Sequence, residues 1–145
     1  MPQAAEYITR ARMFLTRPAD EVTRTGSLSA VGAHDLFLAH EFSVKAVVAE
    51  VRGTVPKPYE HHGFLDIART INLYSVLPSE FQAQLTEISS FYPTVRYPGT
   101  PPDVTATSST NPTSVAVQVE RAQRFVTYVE TAIIPNVNSM GITVP

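Results

Sequence analysis

The chain has 145 residues, 43% of them apolar and 17% charged, with a formal net charge of −2. That length and composition fit one domain around a single core and exclude disorder as the general state. The near-neutral balance leaves only a local nucleic-acid contact to be expected, and the absence of cysteine excludes disulfides, thiol nucleophiles and cysteine metal sites.

The first stretch, MPQAAEYITRARMFL, lacks an apolar core of signal-peptide length, and no run approaches the ~18 apolar residues of a membrane span. A cytoplasmic protein with no membrane association is therefore expected. Ala4, Ile8, Ala11 and Leu15 recur at helical spacing. This first helix is expected to stop near Thr16, because Pro18 disfavours helical geometry at Arg17. A polar stretch to about Gly26 follows, and Ser27 or Ser29 is a plausible cap for the next helix.

That second helix carries two stripes. Ala30, Ala33, Phe37, His40, Val44, Val47 and Val51 form the apolar one, and Gly53 ends it. His34, Leu38, Glu41, Lys45, Val48 and Arg52 form the other, which bears most of the helix's charge and is the place to look for function. A third helix is expected from about His61 to Tyr74, with Phe64, Ile67, Ala68, Ile71 and Tyr74 inward. Pro78 opens a fourth, on which Phe81, Leu85, Ile88 and Tyr92 step by four, three and four. From Pro93 to Asn111 the chain is rich in Pro, Thr, Ser and Gly without a period. Asn111 and Pro112 then start a fifth helix, striped by Val115, Val119, Ala122, Val126, Val129 and Ile133 and ended by Pro135. The expected architecture is all-α, an antiparallel bundle of about five helices over residues 1–134, with 135–145 as a tail of weakly extended character.

The histidines are His34, His40, His61 and His62. His40 sits on the apolar stripe and reads as a core residue with a satisfied hydrogen bond. His61 and His62, at the start of the third helix, offer a cap or an anion contact. No His-x-x-x-His or Glu-x-x-His pair occurs, so no metal and no cofactor is expected. Glu41 and Lys45 form an i,i+4 pair in the favourable order. Nucleophilic-serine and phosphate-loop motifs are missing.

The segment AHEFSVKAVVAEVRG resembles the second-helix pattern of the HEPN family, with Glu41 and Lys45 four apart among aliphatics. PKPYEHHGFLDIARTI is similar to that family's Pro-containing loop and the helix start that follows, here at His62, and LTEISSFYPTVRYPG is similar to its Arg-Tyr-Pro pattern, here at Arg96 and Tyr97. The resemblance covers roughly residues 5 to 134. It implies a helical bundle that commonly forms a homodimer and is often encoded beside a small nucleotidyltransferase. Many members are endoribonucleases of toxin–antitoxin or defence systems that carry an Arg followed by a His after four to six residues.

No histidine follows Arg96, and none of the four has an arginine at the required distance upstream. The resemblance therefore implies no catalytic residue and a non-ribonucleolytic module that binds a nucleotide or a partner. Its site residues would be His34, Glu41, Lys45, His62, Arg96 and Tyr97. Arg96 offers a planar fork of donors to a phosphate or carboxylate, or else a pin to Glu41. The competing readings are a ribonuclease toxin acting on RNA through a displaced constellation of His34, Glu41 and Arg96, and a scaffold without a ligand.

Overall fold

In the computed structural model, which describes residues 2–60, 63–90 and 112–145, the first apolar stripe folds as α1 (Pro2–Thr25). Ala4, Ile8, Ala11 and Leu15 are all buried, as their spacing requires. The helix does not stop near Thr16. It continues through Pro18, whose side chain is buried, and Ala19 and Val22 beyond it pack against the core. A proline inside a helix costs about 3 kcal/mol. Here the burial of the following two turns, and an ion pair from Arg17 to Asp35 at 3.4 Å, offset that local preference. The helix ends where Gly26 takes a left-handed conformation, φ 76°.

Helix α2 (Ala30–Arg52) begins at Ser29, whose hydroxyl accepts from the Gly32 N–H at 3.0 Å. Glu21 of α1 completes this cap: its two carboxylate oxygens accept from the Ser29 N–H and hydroxyl at 3.0 and 2.7 Å. Gly53 closes the helix in the left-handed region, φ 83°, with its N–H on the Ala49 carbonyl. Contacts between Glu21 and Ser29, Arg17 and Asp35, and Phe14 and Phe42 run down α1 as they run up α2, so the two helices are antiparallel.

The expected third helix is shorter than its stripe. After a 3₁₀ turn over Lys57–Glu60, α3 spans Phe64–Thr70, and a second 3₁₀ turn follows at Tyr74–Val76. Asn72 interrupts the helix with φ 65°, a conformation that short polar side chains tolerate best. Phe64, Ile67, Ala68 and Ile71 are buried as the spacing predicts, whereas Tyr74 is half-buried, beyond the break. Pro78 precedes α4 (Ser79–Ser89), which buries Phe81, Leu85 and Ile88. Helix α5 (Pro112–Tyr128) buries Val115, Val119, Ala122 and Val126 of the expected stripe, and Val129 and Ile133 are buried in the turn beyond it. It runs into a π turn at Val129–Ile133 and a 3₁₀ turn at Ile134–Asn136, immediately before and around Pro135, which has no N–H to extend an α ladder.

The described residues thus form a bundle of five α-helices with no strand among them. Their buried side chains make one continuous cluster, to which Val137, Ile142 and Val144 of the C-terminal segment also belong. The Thr143 N–H reaches the Ile71 carbonyl at 3.1 Å, tying that segment to the end of α3. No helix among the described residues is long and apolar enough to cross a membrane.

The shared cap at the α1–α2 corner generates a prediction. Ser29→Ala is expected to cost about 1 kcal/mol in chemical denaturation. Glu21→Ala should cost less in the Ser29→Ala background than in the wild type, because one of its two bonds is already gone. A double-mutant cycle with no coupling would show that the corner is held elsewhere.

Candidate functional site

Helix α2 lies at the centre of the bundle and touches α1, α3, α4 and α5. Its second stripe is therefore not a solvated face. Glu41 and Lys45 pair at 3.3 Å with side-chain exposures of only 11% and 12%. A pair this shielded is worth keeping only if both ends stay hydrogen-bonded, since stranding one charge costs several kcal/mol. The Lys45 ammonium also lies 5.9 Å from the centre of the Phe42 ring. Further along the stripe Val48 is buried, and Arg52 donates to the Val144 carbonyl at 3.4 Å.

His34 is half-buried on this stripe, and its Nδ1 is shielded from solvent without a hydrogen-bond partner among the described residues. Seven residues separate it from Glu41, about 10 Å along the helix axis. The two side chains cannot exchange a proton directly at that separation. They instead flank Phe37, which stands three residues after His34 and four before Glu41.

Phe37 forms part of a cleft of about 290 Å³, together with Gly63, Phe64, Leu65 and Asp66 of the α3 start and Ser89 at the α4 end. Its size is at the small end for a ligand pocket. In sequence, Gly63 directly follows His62, and Ser89 stands seven residues before Arg96. His62, Arg96 and Tyr97 lie outside the described residues, as do His61, Tyr92 and the segment from Pro93 to Asn111. The proposed contact of Arg96 with Glu41 falls there too. Of the sequence-derived site, the structure brings Glu41 and Lys45 together and sets His34 two turns away. The cleft itself lies between Phe37 and the α3–α4 ends, and none of those three side chains lines it. No group of three His, Asp or Glu side chains suited to a metal occurs among the described residues.

His40 is a core residue and part of a network that the sequence reading did not include. Its ring lies between Phe64 and Phe125, with centroids at 5.8 and 5.7 Å. Nδ1 approaches the Leu36 carbonyl at 2.8 Å, and a carbonyl only accepts, so the proton sits on Nδ1. Nε2 is left to accept from the Gln84 amide at 3.4 Å, and the same amide donates to the Gln118 carbonyl at 2.9 Å. Gln118 in turn donates to Glu87 at 3.1 Å. Gln84 Oε1 has no partner among the described residues. A signal for this network was present: Gln84 falls three residues after Phe81, inside the apolar stripe of α4.

Burial holds the His40 imidazole at about 4 against an ordinary 6.5, the Leu36 carbonyl opposing part of that effect. The unfolded chain binds this proton near the ordinary value, so stability is full above it, falls as the pH drops toward 4, and falls no further below. The loss is about 3 kcal/mol. Urea denaturation across that window should show the slope, and His40→Gln should flatten it; an unchanged slope would assign it to the carboxylates. Neither a family model, nor a curated protein, nor a solved structure matches the chain.

Proposed function

We propose that the protein is a non-ribonucleolytic, HEPN-like module that binds a nucleotide beside the polar stripe of α2 and acts with a small nucleotidyltransferase, as a homodimer. The observation that carries the ligand site is the cleft at Phe37, a residue that has His34 and Glu41 one helical turn to either side of it on α2. Phe37, Phe64 and Leu65 supply apolar surface for a base, and Lys45, the partner of Glu41, is assigned as the cation on the resemblance alone. His34 Nδ1 is without a hydrogen-bond partner among the described residues, but it is shielded from solvent, so a ligand would reach it only after the ring turns. Arg96 and Tyr97, on the resemblance, add a fork of donors and a ring.

This arrangement favours binding over chemistry. His34 and Glu41 are too far apart to act on one proton, and among the described residues no nucleophile is hydrogen-bonded to either. The dimer and the nucleotidyltransferase partner rest on the resemblance alone.

The reading predicts micromolar binding of a purine or pyrimidine nucleotide by calorimetry, without turnover. Lys45→Met should weaken it by about tenfold or more. Gly63→Leu is the sharper variant: a Cβ there meets no described atom within 4 Å, so a side chain can be added at the cleft wall, with circular dichroism to check that the fold is kept. Binding unaffected by Gly63→Leu would move the ligand elsewhere. Cleavage of RNA by the purified protein, lost in His34→Ala or Arg96→Ala, would replace the proposal by the ribonuclease reading. A tight complex with a nucleotidyltransferase and no nucleotide affinity would replace it by a scaffold.

A further inference from the structure

Helices α1 and α2 leave a second groove, of about 680 Å³, on a different face of α2 from the polar stripe. Arg10, Met13, Phe14 and Arg17 line it from α1, and Asp35 and Phe42 from α2. Arg10, Met13, Phe14 and Arg17 recur at i, i+3, i+4 and i+7, which puts them on one face with an arginine at each end; Thr16 also lines the groove from α1. Between the arginines lies an apolar floor. The rings of Phe14 and Phe42 are parallel to within 4° at 5.4 Å, and Met13 stands 67% exposed.

The charges do not cancel. Arg17 pairs with Asp35 at 3.4 Å but stays 55% exposed, and Arg10 makes no ion pair among the described residues. Two guanidinium groups thus face one carboxylate. Phenylalanine, methionine and arginine are also the side chains enriched at the cores of protein interfaces, and methionine adapts to the shape laid on it.

We propose that this groove docks an amphipathic helix of a partner protein. The partner's apolar stripe covers Met13 and the Phe14–Phe42 pair, while two acidic residues about two turns apart meet Arg10 and Arg17. A second copy of this chain is a poorer occupant, because its own α1 would set arginines against arginines. A single-stranded nucleic acid is poorer too: Phe42 stacks on both Tyr7 and Phe14, so its ring faces are engaged, and Asp35 repels phosphate next to Arg17. None of these residues lines the cleft at Phe37, and although Lys45 lies over the Phe42 ring the proposal does not rest on nucleotide binding.

The test uses the full chain and a fluorescent synthetic helix bearing Glu-x-x-Leu-Leu-x-x-Glu, with a control in which lysines replace both glutamates. Fluorescence anisotropy should show binding of the acidic helix and not of the lysine helix, weakening several-fold as salt rises. Arg10→Glu and Met13→Asp leave the Arg17–Asp35 pair intact and should each weaken binding about tenfold with unchanged circular dichroism. The Arg10→Glu, Arg17→Glu double variant should instead prefer the lysine helix, a swap that a merely structural role would not produce. Equal binding of both helices, or of neither, would overturn the proposal. So would self-association abolished by Met13→Asp, which would make the groove an interface between copies, or oligouridylate binding lost in Arg10→Glu.

Discussion

A helix enclosed on all sides must satisfy its polar side chains from within, and α2 is such a helix. It is buried almost continuously from Gly32 to Ala49, and His40, Glu41 and Ser43 are among the buried positions. Each has a local solution. Ser43 returns its hydroxyl to the Ala39 carbonyl at 2.8 Å, Glu41 takes Lys45, and His40 spends one nitrogen on the Leu36 carbonyl and the other on Gln84. The last of these reaches out of the helix. Through Gln84 and Gln118 it links α2 to α4 and α5, and an orphaned donor or acceptor there would cost about 1–3 kcal/mol. Sliding either helix by one turn would break that link, so the network fixes register where apolar packing alone would tolerate alternatives.

The placement of α2 also separates the two candidate surfaces. Phe42 and Asp35 face α1, His40 and Val47 face the core, and His34, Glu41 and Lys45 occupy the remaining side. Because the helix is rigid and central, the cleft at Phe37 and the α1–α2 groove are held at fixed angles to each other. The groove is lined by helix residues alone, whereas the cleft also uses Gly63, which precedes α3.

Much of this fold was legible because apolar residues at a period near 3.6 have no other good use in a chain of this size. The stripes of α1 and α5 are buried throughout, and those of α2 and α4 are buried from Ala33 to Val47 and from Phe81 to Ile88, with Ala30 exposed and Tyr92 outside the described residues. Of the two caps offered, Ser27 and Ser29, the second is used, and Gly53 ends α2 as expected. What failed was local propensity set against tertiary burial. Pro18 argued for an end that core contacts at Ala19 and Val22 overrode, and nothing before Asn72 announced that α3 would break within a continuous stripe. The site was half legible. The spacing of Glu41 and Lys45 gave the pair, but spacing cannot tell a solvated face from one shielded by neighbouring helices. Gln84 carries no period of its own: it stands among the apolar residues of α4, and only the fold brings it to His40. The aromatic stack was missed for a similar reason: Tyr7 and Phe14 are seven apart on α1, but Phe42 meets them from another helix.

Pro18 is where these strands of argument meet. An α-helix would offer the N–H of residue 18 to the Phe14 carbonyl, and proline withdraws it. Yet the helix has to continue, since Glu21, one turn beyond, supplies both acceptors that hold Ser29 at the start of α2. The turn weakened by the proline is the one that carries Phe14 and Arg17, and with them the mouth of the groove. The stretch of α1 with the least helical support of its own is thus fixed from outside, by Asp35 and Phe42 of α2. A helix laid across that groove would add a third set of contacts to the same turn, so docking there should be coupled to the stability of the α1–α2 corner rather than independent of it.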